Sequence, residues 1–159
     1  MASTISAANL KVKITEEIIL NGKDQGSSNT LTIGSVNEVS SRIVTIPSGS
    51  ITTLFNVATG TTSASAGTFP SASLKYARIT NKDDSYHIKL RVSSSLTSDF
   101  KIEPGRSFML TNSNMSGSTT GSSITSEFTG STWDSFDLNN ISAEPSGSDV
   151  DVEVFIAST

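Results

Sequence analysis

The sequence predicts an all-β domain, a β-sandwich of jelly-roll type with about eight to ten short strands, and a β-barrel is the alternative. Three observations carry this. Several runs alternate apolar and polar residues with a period of two; clusters of Asn, Asp, Pro and Gly interrupt the chain at frequent intervals; and no stretch sustains a helical period. The sharpest piece is Leu74 to Leu110, LKYARITNKDDSYHIKLRVSSSLTSDFKIEPGRSFML, where Tyr86, Ile88, Leu90 and Val92 alternate with His87, Lys89 and Arg91. It reads as a hairpin and meander with turns at Asn81-Lys82-Asp83-Asp84 and Pro104-Gly105 and with a core face running from Tyr86 to Val92.

A chain of 159 residues suits one domain, and the expected division is a flexible arm over 1–9 and a single sandwich over 10–159. Hydrophobic residues make up 35% and charged residues 16%. Ser and Thr supply about a third, so the polar surface is mainly hydroxyl. A net charge of only −4 and abundant Ile, Val and Thr favour folding over disorder.

The strands follow in order. Residues 1–9, small and polar, suit a mobile arm or an inter-subunit strap. Leu10, Val12, Ile14, Ile18 and Leu20 all fall on even positions, with Lys11, Lys13 and Thr15 between them, which marks a long strand with one inward face. Glu16 breaks that face, at a bulge or at an exposed end. Asn21-Gly22 opens a loop that tolerates positive φ, and Asn29 to Ile33 forms the next strand. Gly34 to Ser41 sets Val36 and Val39 at helical spacing but surrounds them with Ser and Asn, so it reads as a turn leading into a strand over Arg42 to Ile46 that Pro47 and Gly49 end. Ile51 to Val57 is another apolar run. Ala58 to Ser73 and Thr111 to Ser123 are small-residue, polar loops. Ile124 to Phe128 and Thr132 to Leu138 suit short strands. Asp149 to Ala157 closes the fold, with Val150, Val152, Val154 and Ile156 on one face and Asp149, Asp151 and Glu153 on the other.

Little of this suggests a reaction, and the reading is non-enzymatic with no cofactor. The absence of Cys removes disulfides, thiolate metal sites and a Cys nucleophile. The single histidine, His87, lies on a wet strand face without a nucleophile-elbow pattern nearby. Asp149, Asp151 and Glu153 are spaced too widely along a straight strand to share one Ca²⁺. Charge complementarity is the expected use of both groups: the basic His87, Lys89 and Arg91 and the acidic Asp149, Asp151 and Glu153 form a docking face, paired across neighbouring strands or between subunits. Trp133 is expected to cover the core edge, although it and Tyr86 or Tyr76 would be the residues to stack on a sugar if the domain bound carbohydrate. Asn114-Met115-Ser116 and Asn140-Ile141-Ser142 match the glycosylation pattern, as chance allows in so hydroxyl-rich a chain. The opening MASTISAANLKVKI lacks a secretory pattern and no apolar run approaches about 20 residues, so a soluble protein made in a cytoplasm is expected. A pI near 4.9 argues against nucleic-acid binding.

ISAANLKVKITEEIILNGKDQGSSNTLTIGSVNEVSSRIVTIP, LKYARITNKDDSYHIKLRV, DFKIEPGRSFML and DVDVEVFIAST together resemble small virion structural proteins of tailed bacteriophages, especially those infecting marine cyanobacteria. The resemblance covers most of the chain. It implies a structural protein of the virion, made in the host cytoplasm, that decorates or cements a capsid by many symmetric weak contacts with the major capsid protein. A tail tube, adaptor or fibre subunit contacting a tail protein is the second placement, and a carbohydrate-binding module is a reading from a different class. Homo-oligomers, trimers by analogy, are expected, with the two Ser/Thr-rich loops and the N-terminal arm as contact elements.

Overall fold

A computed structural model of the chain describes residues 6–58, 66–71, 73–93, 97–111 and 138–159. Thirteen strands occupy them: β1 (Ala8–Glu16), β2 (Ile19–Leu20), β3 (Lys23–Asp24), β4 (Ser27–Val36), β5 (Glu38–Ile46), β6 (Thr52–Ala58), β7 (Thr68–Pro70), β8 (Leu74–Asn81), β9 (Ile88–Ser93), β10 (Thr97–Ile102), β11 (Ser107–Thr111), β12 (Asn140–Pro145) and β13 (Val150–Ser158). No helix occurs among the described residues.

Two sheets form the body, one in the order β11-β8-β13-β5 and the other β10-β9-β12-β6-β7. Numbering β5, β6 and β8 to β13 as eight successive strands, the sheets read 6-3-8-1 and 5-4-7-2, the double Greek key of a jelly roll. The predicted fold class is therefore the observed one. All neighbours are antiparallel except β6 and β7.

The core is the filling between the sheets. Val150, Val152, Val154 and Ile156 of β13 face Ile88, Leu90 and Val92 of β9 and Ile141 of β12, all buried. These are the alternating residues of the sequence, and the pleat turns each set to one side. Phe55 and Phe69 meet edge to face at 6.1 Å, and Phe100 and Phe108 close the side of the core at 4.9 Å.

Several expectations change. β8 and β9 do not form a hairpin: they belong to opposite sheets, and so do β10 and β11. The Asn81–Asp84 and Pro104-Gly105 turns are arches that carry the chain across the sandwich. Asn81 decides this, because its fully buried amide lies between the two arches and donates to Tyr86 O at 2.9 Å and Ile102 O at 3.2 Å. Tyr86 sits in the first arch and not in the core; it is 41% exposed, and β9 begins only at Ile88. Most of the segment from Gly34 to Ser41 is strand. Ser35 takes a left-handed φ of 61° and Asn37 separates β4 from β5, so two extended strands meet there and mimic helical spacing. β12 was not anticipated: Ile141 and Ala143 alone alternate with Ser142 and Glu144, too short a pattern to stand out beside Asn139, Asn140 and Pro145. The Ala58 to Ser73 segment contains the short β7. The strands expected over Ile124 to Phe128 and Thr132 to Leu138 lie outside the described residues, apart from the buried Leu138, as does all of the 111–123 loop except Thr111.

Candidate functional site

The charged residues singled out by sequence fall into two separate groups. Lys89 and Arg91 project from β9 on the outer face of the five-stranded sheet, whereas Asp151 and Glu153 project from β13 on the outer face of the other sheet. The whole body lies between them, so they do not pair across neighbouring strands; each finds local partners instead. Arg91 grips Asp99 of β10 with two hydrogen bonds of 2.8 Å, and Lys89 lies 3.6 Å from Glu144 of β12. Lys101 meets Glu103 at 2.6 Å. The guanidinium of Arg91 holds the Asp99 carboxyl below its ordinary pKa, and Lys101 does the same for Glu103. On the far face Glu153 contacts Arg78 at 3.3 Å and Asp151 accepts from the Thr45 hydroxyl at 2.6 Å. Asp149 caps the loop after β5, accepting from Ser48 N at 2.8 Å. His87 lies half-buried in the arch before β9, its carbonyl accepting from Ser146 N. No cluster of three or more His, Asp or Glu that could hold a metal occurs among the described residues.

Of the proposed stacking aromatics, Trp133 lies outside the described residues. Tyr86 packs its ring against the backbone of Gly147, where a β-carbon would fall 2.3 Å from two ring carbons. Tyr76 is buried on the outer face of the four-stranded sheet, edge to face with Phe155 at 6.0 Å, and this burial raises its pKa. Asn114 also lies outside the described residues, and Asn140 sits within β12 between β6 and β9.

What covers Tyr76 is the feature that sequence reading missed. β1 and β4 pair along nearly their whole length as a long hairpin, a sheet of their own. Register places Leu10 opposite Ile33 and Val12 opposite Leu31, so one face of the hairpin is apolar, while Lys11, Lys13 and Thr15 oppose Thr32, Thr30 and Ser28 on the wet face. At its base, Leu10, Val12, Ile33 and Val36 pack on Tyr76, Phe155 and Ala157 as a second, small core. Farther along, Lys13 and Ile14 border a cleft lined by Arg78 and Met109, so the hairpin has reached the edge strand β11.

Past that point every arm residue from Thr15 to Gln25 is exposed among the described residues. The six residues beyond Ile14, up to Leu20, carry it roughly 20 Å farther at strand rise. β2 and β3 close the tip through Asn21 (φ 52°) and Gly22 (φ 76°), the left-handed pair of a type I′ turn. Apolar residues nevertheless continue to the end: Ile18 is 53% exposed, Ile19 77% and Leu20 51%. The expected inward face of the first strand is thus inward only at Leu10 and Val12. Glu16 stands at the exposed end of β1 and accepts a 2.6 Å bond from Ser27 Oγ. A signal for this was present. Ile18-Ile19-Leu20 places apolar side chains on both faces of a strand directly beside an Asn-Gly turn, where no core can reach both.

On the body, edge strand β5 leaves Val39 and Ile43 exposed on the same outer face that the arm base covers, Ile43 at 65%. The inner side of β5 carries Arg42, whose guanidinium turns between the sheets and donates to Leu54 O. No family model matches the chain, and no significant match is found among curated proteins or solved structures.

Proposed function

We propose that the chain is a structural subunit of a multi-copy assembly, a jelly-roll body that attaches through its hairpin arm, and that the assembly is a virion whose capsid it decorates. One observation supports this most: a long β-hairpin, anchored by its own small core, holds three consecutive aliphatic side chains away from the body. Singly exposed apolar residues are ordinary, but a contiguous apolar tip on a projecting element marks a surface made for contact. The ion pairs on the outer face of the five-stranded sheet, Arg91 with Asp99 and Lys89 with Glu144, give that face mixed charge and suit it to solvent.

The virion setting rests on the resemblance in strand and turn style. Many copies each adding a weak contact bind a lattice strongly without a large apolar patch on any subunit. The test is co-sedimentation of purified protein with intact, DNA-free phage shells. Saturation at a fixed stoichiometry, lost on Ile19→Ser/Leu20→Ser, is the expected result. Co-purification with tails and no binding to shells would move the subunit to the tail, and retention on a polysaccharide column instead would replace the structural reading.

A further inference from the structure

We propose that the arm's partner is a second copy of this chain: β1 pairs antiparallel with β1 of the other copy about a two-fold axis near Ile14, and each tip lies over the other copy's four-stranded sheet. This rests on reading the arm as an assembly element. β1 and β4 form a two-stranded sheet, so among the described residues the long side of β1 away from β4 has no strand beside it. Such an edge is a template for another strand.

Charge order along β1 selects both the partner and its direction. Lys11 and Lys13 lie toward the base, while Glu16 ends β1 toward the tip and Glu17 directly follows it. Lysines on an edge ordinarily repel a second copy. Antiparallel self-pairing about Ile14, carried one residue past the end of β1, instead sets Lys11 opposite the other copy's Glu17, with Lys13 diagonal to it, while parallel pairing in register would set like charges together. An axis at Ile14 also keeps Leu10, Val12 and Ile14 of both copies on one face, because the sum of opposed positions is even and side chains alternate with a period of two. By contrast, the edge of β4, SSNTLTIGSV, has no charge with which to choose a direction.

The geometry then gives each tip a seat. The apolar face of an arm rests on its own body at the base, and the two-fold brings the second body beneath the tip, where exposed Val39 and Ile43 lie on the outer face. On that face Ile14, Ile18, Leu20 and Leu31 together present on the order of 400 Å² of apolar surface. Two arms and the two surfaces receiving them would cover roughly 1,500 Å², enough for a stable dimer. The resulting symmetry is two-fold, in place of the trimer that analogy suggests.

The chain has no cysteine, so single substitutions report the pairing directly. Opposed residues of antiparallel strands lie about 4.5–5.5 Å apart at Cα, within disulfide reach. Full-length Ile14→Cys is expected to become a covalent dimer on mild oxidation, whereas Thr30→Cys on the far strand stays monomeric. Lys11→Glu should weaken the dimer at least about tenfold by sedimentation, and adding Glu17→Lys should restore it to within about threefold. A wild-type protein that stays monomeric at about 100 µM, or cross-links through Thr30→Cys but not Ile14→Cys, overturns the pairing. Shell co-sedimentation separates the two readings. A monomer that binds shells keeps the assembly role and overturns the pairing; a dimer that ignores shells supports the pairing and overturns the capsid placement.

Discussion

Asn81→Ala should be among the most damaging single substitutions of a polar residue in the body. The side chain is fully buried and joins both sheet-crossing arches. Its Nδ2 donates to Tyr86 O in one arch and to Ile102 O, next to the other, while its Oδ1 accepts from Asp83 N at 3.0 Å. Truncation removes three hydrogen bonds and strands two carbonyls and an amide. At about 1 kcal/mol net for each bond, the loss is about 3 kcal/mol. In a domain of this size that lowers Tm by roughly 6–12 °C. Urea unfolding followed by near-UV and by far-UV circular dichroism would measure it, with coincident transitions as the two-state check. Asn81→Asp supplies the control, since it retains an acceptor for Asp83 N but turns a carboxylate toward two carbonyls, and it should destabilise at least as much. A loss below about 1 kcal/mol for Asn81→Ala, or an Asn81→Asp protein as stable as wild type, would refute the idea that the amide's donors tie the arches.

Three further outcomes follow from the geometry. The Asp83 carboxylate accepts from Tyr86 N at 2.6 Å and Ser85 N at 2.7 Å, which lowers its pKa from 3.8. Its contribution is therefore complete above the ordinary carboxylate value and is lost as pH falls through the lower folded value, so Asp83→Ala should flatten the acid limb of a Tm-against-pH curve. Gly147→Ala places a β-carbon 2.3 Å from the Tyr86 ring and should displace it, costing about 1–2 kcal/mol in urea unfolding, a cost that Tyr86→Ala largely removes. Ile33→Ala, in the small core under the arm, should cost about 2 kcal/mol or more, whereas Ile19→Ser at the tip should leave the stability of the isolated subunit within about 0.5 kcal/mol. Equal losses at both positions would mean that the tip is packed on its own body.

The elements were more legible than their partners. Val150, Val152, Val154 and Ile156 on β13, and Ile88, Leu90 and Val92 on β9, alternate because a pleated strand with one buried face permits little else. The turn at Asn81–Asp84 was legible as a turn, since Asp83 bonds its own following amides. Whether such a turn makes a hairpin or an arch is not written in those residues. It depends on where the Asn81 side chain finds carbonyls, one of them twenty-one positions away on β10. The same limit governs the charged groups. Lys89 and Glu153 each announce a wet strand face, but only the sheet order shows that those faces point in opposite directions. For the arm, even-numbered apolar residues from Leu10 to Leu20 declared a one-sided strand without saying what would cover that side. Its partner β4 offers Ser27 and Asn29 near the tip, and this polarity is the trace in sequence of a hairpin that leaves its body.

The place of β13 also sets an order of events during synthesis. It lies between β8 and β5 at the centre of its sheet, and pairs Val150 with Ile46 about a hundred positions earlier, a contact of long sequence range and so slow to form. The arm, by contrast, closes through the local turn at Asn21-Gly22 and needs only residues 8–36 to pair. A nascent chain therefore completes a sticky hairpin well before the sheet beneath it can be finished. For that interval Leu10, Val12, Ile33 and Val36 have no Tyr76 or Phe155 to rest on, and an early-made arm must be sheltered from neighbouring chains until β13 arrives.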